Sequence, residues 1–495
     1  MMKKLVVTLL ALVALTGMNA QGVERPKLVV GLVVDQMRWD YLYHYRHLYG
    51  EGGLRRLVDE GFSCENTMIN YLPTVTAIGH TSIYTGSVPA LHGIAGNNFY
   101  EDGRNWSSCE DDNVRTVGSD TKRGQASPHN LLAATIGDEL KIATDFKARV
   151  YGVAIKDRAA ILPAGHAADG AFWWDKKAGN FVTSTYYMDR LPQWAERFNK
   201  ENHTAPDFDL NTSNLGVTMT FKMARAIIDN ERLGHGEATD MIAISVSSTD
   251  AIGHTYGTRG DENREVFLTL DREMAQFFNY LDDKVGKGNY LLFLSADHGA
   301  AHNPNYLNKH KMPGGGWDLK SAKRGIDSLL TAKYGTRGLL RGIMDTRIYL
   351  NHHKMDSAGI NITEAKTAVV HWLQRDKTLA FAVDCENLGG TTLPAFLRER
   401  IANGYHRHRS GDILIGTIPA HIYYNVTDKY IGTTHGVWNP DDSHIPLVFM
   451  GWHVKHGSTC APTFIVDIAP TLSALLHIPR PNAAVGNPIN EVINP

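Results

Sequence analysis

Carboxylate and imidazole side chains follow apolar segments at three places in this chain of 495 residues. They are Asp35 after 27–34, Asp250 and His254 after 241–247, and Asp297 and His298 after 290–295. Apolar runs of this length are typical of strands buried on both faces of a parallel sheet. In open α/β sheets, sites form beyond the carboxyl ends of the strands. We therefore expect these side chains to converge on a metal site, and their oxygen and imidazole ligands suit zinc.

The order of the predicted elements indicates an α/β fold. Strands at 27–34, 149–155, 241–247 and 290–295 alternate with helices at 53–60, 131–143, 215–230 and 263–281. This order predicts a doubly wound, mostly parallel central sheet with helices on both faces. Residues 318–430 have shorter strands between helices, and we predict that they form a small α+β insertion. The α/β core would then comprise 21–317 and 431–495, with a late strand at 446–449 and a closing helix from Ala469.

Residues 1–20 have the features of a secretory signal peptide. Lys3 and Lys4 precede an apolar run at 5–15, and Ala20 offers a cleavage position. We expect an exported protein, periplasmic or secreted, and an uncleaved anchor is the alternative. No other segment has the apolar length of a membrane span. The net charge of −2 gives no basic excess that would indicate nucleic-acid binding.

The four cysteines allow three disulfide pairings. Export to an oxidising compartment favours disulfides. We expect Cys64 to pair with Cys109 and Cys385 with Cys460, because each pair lies within one stretch of chain. Four buried thiols are the alternative. No Cys-x-x-Cys motif occurs, so we do not expect cysteine ligands to zinc.

A hydroxyl group for nucleophilic chemistry is present at Thr76. Pro73 disfavours a helix before it, and Thr76 stands at a plausible N-cap of a helix that runs towards Gly86. The positive end of the helix dipole would favour negative charge on this hydroxyl. A capping threonine without a chemical role is the alternative.

Taken together and in this order, the motifs resemble the alkaline phosphatase superfamily. More narrowly, they resemble the phosphate-irrepressible alkaline phosphatases of the PafA type, which use a threonine nucleophile. The resemblance extends from Lys27 to Pro470. The motifs that carry it are Asp35, Thr76, Asn97, Asp250 with His254, Asp297 with His298, Thr434-His435-Gly436, and the segment from Lys156 to His166.

The resemblance implies two Zn²⁺ ions with three protein ligands each. The implied sets are Asp250, His254 and His435 for one ion, and Asp35, Asp297 and His298 for the other, with Thr76 as an additional ligand of the second. Three protein ligands with an open position are typical of catalytic zinc sites. We find no further carboxylate set that would indicate a third metal.

The resemblance also implies three residues that bind the phosphate group: Asn97, Lys156 and Arg158. The last two lie at the carboxyl end of the predicted strand 149–155. Two positions apart on an extended chain, they would lie on the same side. An arginine fork with a lysine charge suits the exposed oxygens of a phosphomonoester dianion. A solvated surface turn is the alternative.

The expected activity is that of an exported, zinc-dependent alkaline phosphatase. It would hydrolyse small-molecule phosphate monoesters of broad structure through a phosphothreonine intermediate and release inorganic phosphate. A nucleotide pyrophosphatase/phosphodiesterase of the same superfamily is the alternative, since it shares Thr76, His80 and Asn97 but not the pair Lys156 and Arg158. A sulfatase is disfavoured because no Cys/Ser-x-Pro-x-Arg frame surrounds Thr76. A secreted protein with structural zinc, or one that only binds phosphate, is a further alternative. The oligomeric state stays open, with a monomer favoured.

Overall fold

The computed structural model describes residues 23–494, so the predicted signal peptide lies outside the described residues. The strands are β1 Leu28–Val34, β2 Phe62–Cys64, β3 Thr67–Met68, β4 Asn98–Glu101, β5 Arg104–Ser107, β6 Thr116–Val117, β7 Val150–Ala154, β8 Gly170–Asp175, β9 Asn180–Ser184, β10 Asp240–Val246, β11 Tyr290–Ser295, β12 Gly315–Gly316, β13 Leu340–Met344, β14 Arg347–Leu350, β15 Leu379–Asp384, β16 Ile413–Thr417, β17 His421–Ile422, β18 His444–Ile445, β19 Leu447–Gly451, β20 Gly457–Thr459 and β21 Thr463–Phe464.

The α-helices lie between these strands and at the end of the chain. They are α1 Tyr41–His44, α2 Leu54–Glu60, α3 Thr76–Thr85, α4 Pro89–His92, α5 Ile136–Ala143, α6 Asp157–Ala164, α7 Gln193–Asn202, α8 Asn214–Glu231, α9 Ser248–Tyr256, α10 Asp261–Leu281, α11 Pro304–Lys309, α12 Leu319–Tyr334, α13 His352–Ser357, α14 Ile362–Leu373, α15 Ala395–Gly404, α16 Pro440–Ser443, α17 Ile468–Leu476 and α18 Asn490–Ile493. None of the helices within residues 23–494 combines the length and the apolarity needed to cross a membrane.

The centre of the protein is a ten-stranded mixed sheet. Its strand order is β20-β2-β19-β11-β1-β10-β7-β8-β9-β6. The five strands from β11 to β8 run parallel to one another, whereas β19 and β9 add antiparallel strands at either side. The predicted α/β fold class with a mostly parallel centre is therefore confirmed.

The three strands at the middle of the sheet are buried along their whole length. Every residue of β1, β10 and β11 is buried, as expected for parallel strands covered by helices. Val33 of β1 is level with Ser245 of β10 and with Ser295 of β11. The chain therefore leaves all three strands at the same edge of the sheet, where the predicted ligands follow.

One helix begins later in the structure than predicted, and the hydrogen bonds at its first turn explain the difference. The helix predicted over 131–143 begins at Ile136. Thr135 caps it, because its hydroxyl accepts from the Asp138 N–H while the Asp138 carboxylate accepts from the Thr135 N–H. This reciprocal pair is a capping box, and it fixes the first turn.

Residues 319–417 pack around a separate antiparallel sheet. Its strand order is β13-β14-β16-β15. Helices α12 and α14 cover it, and Ile326, Leu330 and Val369 are among the buried side chains of its core. The entering and leaving chains lie side by side, since β12 pairs with β17. The boundaries 318 and 430 stay a prediction.

The predicted disulfides are not formed in the structure, where all four cysteines are unpaired. Cys64 lies in β2 and packs in the main core, whereas Cys109 is buried in a different cluster. Cys385 belongs to the cluster beside β15 and β16, and Cys460 is exposed. Proximity along the chain did not predict the disulfide pairing, because the two cysteines of each predicted pair lie in separate parts of the fold.

Candidate metal centre

The parallel register brings the predicted ligands together at one edge of the sheet. Asp35 is two residues beyond Val33 of β1, and Asp297 is two residues beyond Ser295 of β11, the residue paired with Val33. After β10 the chain enters α9 at once. Asp250 and His254 lie four positions apart in this helix and therefore on the same face.

The first predicted ligand set is compact. The ligand atoms of Asp250, His254 and His435 lie within 4.8 Å of one another. The Asp250 Oδ1 is 3.2 Å from the His254 Nε2 and 3.6 Å from the His435 Nε2. Each imidazole is oriented through its other nitrogen, because the Nδ1 atoms contact the backbone carbonyls of Thr433 and Thr74 at 2.9 and 2.7 Å. Such contacts fix the ring nitrogen that is available to a metal.

The second predicted set lies directly beside the first. The His298 Nε2 is 3.5 Å from the Asp35 Oδ1 and 3.4 Å from the Asp297 Oδ2. The second group of ligand atoms that lie within 4.8 Å of one another contains Asp250 in place of Asp297, together with Asp35 and His298. Asp250 therefore lies between both sets, and the rings of His298 and His435 stack at a centroid distance of 3.5 Å.

Two buried carboxylate oxygens of the second set have no hydrogen-bond donor. The Asp35 Oδ1 and the Asp297 Oδ2 are both buried without a hydrogen-bond partner among the described residues. A buried charged oxygen without a partner is unfavourable unless a cation neutralises it. The donor set of carboxylate oxygens and imidazole nitrogens thus fits a metal ion.

Lys156 partly neutralises this charge. Its Nζ lies 2.6 Å from the Asp35 Oδ2 and 2.6 Å from the Asp250 Oδ2. Burial and the neighbouring Asp297 raise the pKa of Asp35 well above its usual value, despite Lys156. Burial also opposes the ionisation of Asp250, but His254 and Lys156 outweigh it and lower its pKa.

Thr76 lies at the amino end of α3, beside the second set. Its Oγ1 is 3.4 Å from the His298 Nε2, and the residue is 1% exposed. Thr76 was predicted to be the N-cap, but Val75 has that position and Thr76 is the first helical residue. The helix approaches the site closely, since a Cβ on Gly79 would lie 2.6 Å from the Asp297 Cα.

Thr74, the other hydroxyl near this helix, is directed elsewhere. Its Oγ1 donates to the Val437 carbonyl at 3.1 Å and accepts from the Gly436 N–H at 3.1 Å. It also contacts the buried Asp442, whose pKa is raised by burial to about 7. Thr74 therefore supports the loop that carries His435.

Asn97 lies beside the first turn of α3, because its Oδ1 accepts from the Ala77 N–H at 3.0 Å.

Lys156 and Arg158 do not lie in the extended segment that was predicted for them. Lys156 is the N-cap of α6, and Asp157 begins the helix. Lys156 turns towards the predicted metal ligands, whereas the Arg158 Nη1 lies 3.7 Å from the Asp157 carboxylate.

Gln36 and His80 also contact the site, and we did not predict a role for either. The Gln36 amide donates to Asp250, and the His80 Nδ1 lies 3.3 Å from the Asp297 Oδ2. His80 is in addition 2.8 Å from the Ser245 Oγ of β10. Its position four residues after Thr76 was visible as a helical spacing. For Gln36 no sequence signal exists, since its contacts depend on the backbone turn after β1.

The sequence and the structure both have close matches among known proteins. Residues 29–438 match the family of type I phosphodiesterases / nucleotide pyrophosphatases. The chain is 42% identical to a protein from Myroides odoratus named calcium-transporting ATPase, with 96% of each chain covered. It is 41% identical to the alkaline phosphatase PafA of Elizabethkingia meningoseptica, with 98% of each chain covered. A crystal structure of wild-type alkaline phosphatase PafA superposes with a TM-score of 0.92 at 41% identity, over 96% of this chain and 100% of that chain.

The crowding of carboxylates predicts opposite effects of one substitution on the metal-free and the metal-loaded protein. Asp35→Asn removes a buried acid whose ionisation is disfavoured, because burial and Asp297 raise its pKa, and one of whose oxygens has no hydrogen-bond partner among the described residues. We expect the metal-free protein to gain about 1–3 kcal/mol, the usual penalty of an unsatisfied buried polar group. We expect the stabilisation by added zinc to fall, because the second set loses a ligand. Thermal unfolding after dialysis against a chelator, with and without zinc, measures both effects.

Asp240→Asn is the matched control for this experiment. Asp240 is a buried aspartate at the opposite end of the sheet, where its Oδ2 pairs with the Arg149 Nη2 at 2.8 Å. We expect this variant to lower the stability of the metal-free and zinc-loaded forms equally. A loss of stability of metal-free Asp35→Asn comparable to that of Asp240→Asn would contradict the argument from charge crowding.

Proposed function

We propose that this chain is an exported, zinc-dependent enzyme, on the premise of the family to which it belongs. It is a member of the type I phosphodiesterase / nucleotide pyrophosphatase family and, within that family, of the alkaline phosphatases of the PafA type. It is a phosphoric monoester hydrolase. The proposal adds a broad range of small-molecule monoesters, two zinc ions, a phosphothreonine intermediate and a periplasmic or secreted location.

The observation that carries the proposal is the position of the Thr76 hydroxyl. It lies 3.4 Å from the His298 Nε2, at the amino end of a helix and beside two ligand groups. Asn97 contacts the backbone of the same turn. A nucleophile, a cation site and an amide donor thus meet at one place, as phosphoryl transfer requires.

The proposed ligand roles follow the two sets. Asp250, His254 and His435 would hold one zinc, and Asp35, Asp297 and His298 would hold the other, with Thr76 adjacent. When bound, zinc supplies a Lewis acid that lowers the pKa of the hydroxyl and stabilises charge on the leaving oxygen.

The chain's own residues account for the bond changes. The Thr76 oxygen attacks phosphorus and the ester P–O bond breaks, so that in the net step the Thr76 proton passes to the leaving oxygen and the alcohol departs. Water then attacks the phosphothreonine and the P–O bond to Thr76 breaks, so that one proton of the water restores the Thr76 hydroxyl and inorganic phosphate leaves. Asn97 is proposed to donate a hydrogen bond to a phosphate oxygen throughout, and the amino end of α3 favours the negative charge.

Lys156 and Arg158 are proposed to favour monoesters over diesters. Lys156 is held at the site by Asp35 and Asp250, and Arg158 is the second residue of α6. A monoester dianion presents more charged oxygen atoms than a diester, so cationic donors stabilise it more. The terminal phosphoryl group of ATP presents the same oxygens. The name of the Myroides odoratus relative therefore makes ATP a useful additional substrate in assays.

A diesterase is the second candidate, since the match over residues 29–438 is to a family described by diester and pyrophosphate hydrolysis. Both reactions would use Thr76 and the same ligand sets. The two reactions differ in the protein groups that contact the phosphate oxygens not bonded to the leaving group. Rates of monoester and diester hydrolysis by the same enzyme therefore distinguish the two functions.

Replacement of Thr76 tests the nucleophile. For Thr76→Ala we expect kcat/KM for p-nitrophenyl phosphate to fall by about three decades or more, with zinc still bound, since only the attacking oxygen is lost. Thr76→Ser keeps a hydroxyl and should retain activity within about tenfold. Thr81→Ala is the control, because Thr81 is a buried threonine of the same helix whose hydroxyl donates to the Ala77 carbonyl at 2.7 Å. Turnover by Thr76→Ala within tenfold of the parent would exclude Thr76 and make Thr74 the candidate.

Removal of metal tests the cofactor. Dialysis against a chelator should abolish turnover, and zinc should restore it better than magnesium, because imidazole ligands disfavour hard cations. Elemental analysis of the active enzyme should find about two zinc per chain. A fully active enzyme with markedly less zinc would refute the two-metal proposal.

The double variant Lys156→Ala, Arg158→Ala tests the preference for monoesters. We expect kcat/KM for a monoester to fall by about two to four decades, from charged hydrogen bonds of about 1.5–3 kcal/mol each. Hydrolysis of a diester should fall much less. Lys366→Ala is the control, since Lys366 is a buried lysine paired with Asp384 and Glu386 outside the site.

Zinc content is measured on the same samples because Lys156 also contacts two predicted ligands. Equal losses on both substrates would mean that Lys156 and Arg158 support the fold or the metal ions. An unchanged monoester rate would refute their role and favour the diesterase.

A further inference from the structure

Gln36 has a backbone conformation that non-glycine residues rarely adopt. It follows Asp35 in the turn after β1, where the Met37 N–H donates to the Val34 carbonyl at 3.1 Å. Gln36 is the third residue of this turn and its φ is +63°. Turns with a positive φ at this position favour glycine or asparagine. Such conformations are unfavourable for non-glycine residues and occur often at functional sites, which directs attention to the contacts of this side chain.

The contacts of Gln36 reach a carboxylate of each predicted ligand set. Its backbone N–H donates to the Asp297 Oδ1 at 3.2 Å, and its side-chain Nε2 donates to the Asp250 Oδ1 at 2.6 Å. The amide orientation follows from chemistry, because an ionised carboxylate only accepts hydrogen bonds. Gln36 is 3% exposed, so both bonds are shielded from water.

Helix α9 has a space for this side chain. Gly253 lies between Asp250 and His254, and a methyl group built on it would overlap the Gln36 Oε1. Glycine is unfavourable inside a helix compared with alanine. Its presence here allows the amide to lie against the helix backbone, next to the carboxylate that it contacts.

We propose that Gln36 is a positioning residue that fixes the two metal-ligand sets relative to each other. Its side chain donates a hydrogen bond to Asp250 of one set, and its backbone N–H donates to Asp297 of the other. This inference rests on the proposed zinc-dependent function. A neutral donor suits the position. It orients a carboxylate without withdrawing its charge from a cation, as partners of metal ligands commonly do. The left-handed turn is what brings both donors of one residue to two different carboxylates.

Two substitutions separate the amide from the backbone turn. Gln36→Met keeps the length of the side chain and the unusual φ but lacks the donor, whereas Gln36→Gly lacks the donor and suits the turn. We expect both to weaken zinc binding by about 10–100-fold, the usual effect of removing a partner of a metal ligand. Competition with a chromogenic chelator measures this affinity without reference to activity. We expect kcat to fall and KM to change less.

Gly253→Ala provides an independent test through the same contact. In the wild-type background, the added methyl group should displace the amide and weaken zinc binding as Gln36→Gly does. In the Gln36→Gly background, the methyl group meets no amide, so Gly253→Ala should have little further effect. This non-additivity is specific to the proposed contact.

Arg232→Gly is the control for relief of a left-handed backbone. Arg232 has a φ of +55° at the end of α8, and its neighbours Arg149 and Asp240 lie at the opposite end of the sheet. We expect unchanged zinc affinity and turnover for this variant.

Wild-type zinc affinity in Gln36→Met, or in Gln36→Gly if Gln36→Met does not fold, would overturn the role of Gln36. So would equal damage by Gly253→Ala in both backgrounds. Failure of the proposed function has a different signature, since the wild-type protein itself would then bind no zinc or release no phosphate.

Discussion

Buried negative charge at the edge of the sheet is the constraint on which the site depends. Asp35 and Asp297 follow β1 and β11, Asp250 lies in the helix that follows the adjacent strand β10, and all three are buried. Burial of ionised carboxylates is costly unless cations and donors compensate it. Lys156 contacts two of the three carboxylates, yet within residues 23–494 one oxygen each of Asp35 and Asp297 accepts no hydrogen bond, although the His80 Nδ1 lies 3.3 Å from the Asp297 Oδ2. The same crowding that disfavours the metal-free state therefore makes binding of a cation favourable.

Much of this arrangement was predictable because it depends on local sequence patterns. Continuous apolar runs located β1, β10 and β11, and the rule for parallel sheets placed Asp35 and Asp297 at one edge. The spacing of Asp250 and His254 indicated one helical face. These predictions require only periodicity and the direction of the chain. The fold class was confirmed for the same reason.

The remainder could not be predicted, because it depends on single-residue shifts and contacts that are distant in sequence. The side chains of Lys156 and Arg158 would lie on the same side only if the chain stayed extended beyond Asp157, but α6 begins at that residue. Helix boundaries are poorly determined by sequence. His435 was identified by resemblance alone. Its orientation depends on the Thr74 carbonyl, from a residue far earlier in the chain. The conformation of Gln36 has no sequence signal, since glycine is the usual residue at such a turn position.

The additional sheet also contributes to the site, through one buried cation. The Arg347 guanidinium, at the start of β14, donates to the backbone carbonyls of Leu72, Ala95 and Gly404. Leu72 lies four residues before Thr76, and Ala95 lies two residues before Asn97. Hydrogen bonds from a charged donor are stronger than those from a neutral one, and in a site shielded from water they fix the positions of the three carbonyls. Arg347 therefore joins the loop that leads to the proposed nucleophile with the loop that leads to the proposed phosphate donor. The separation of these two groups therefore depends on the second sheet as well as on the α/β core.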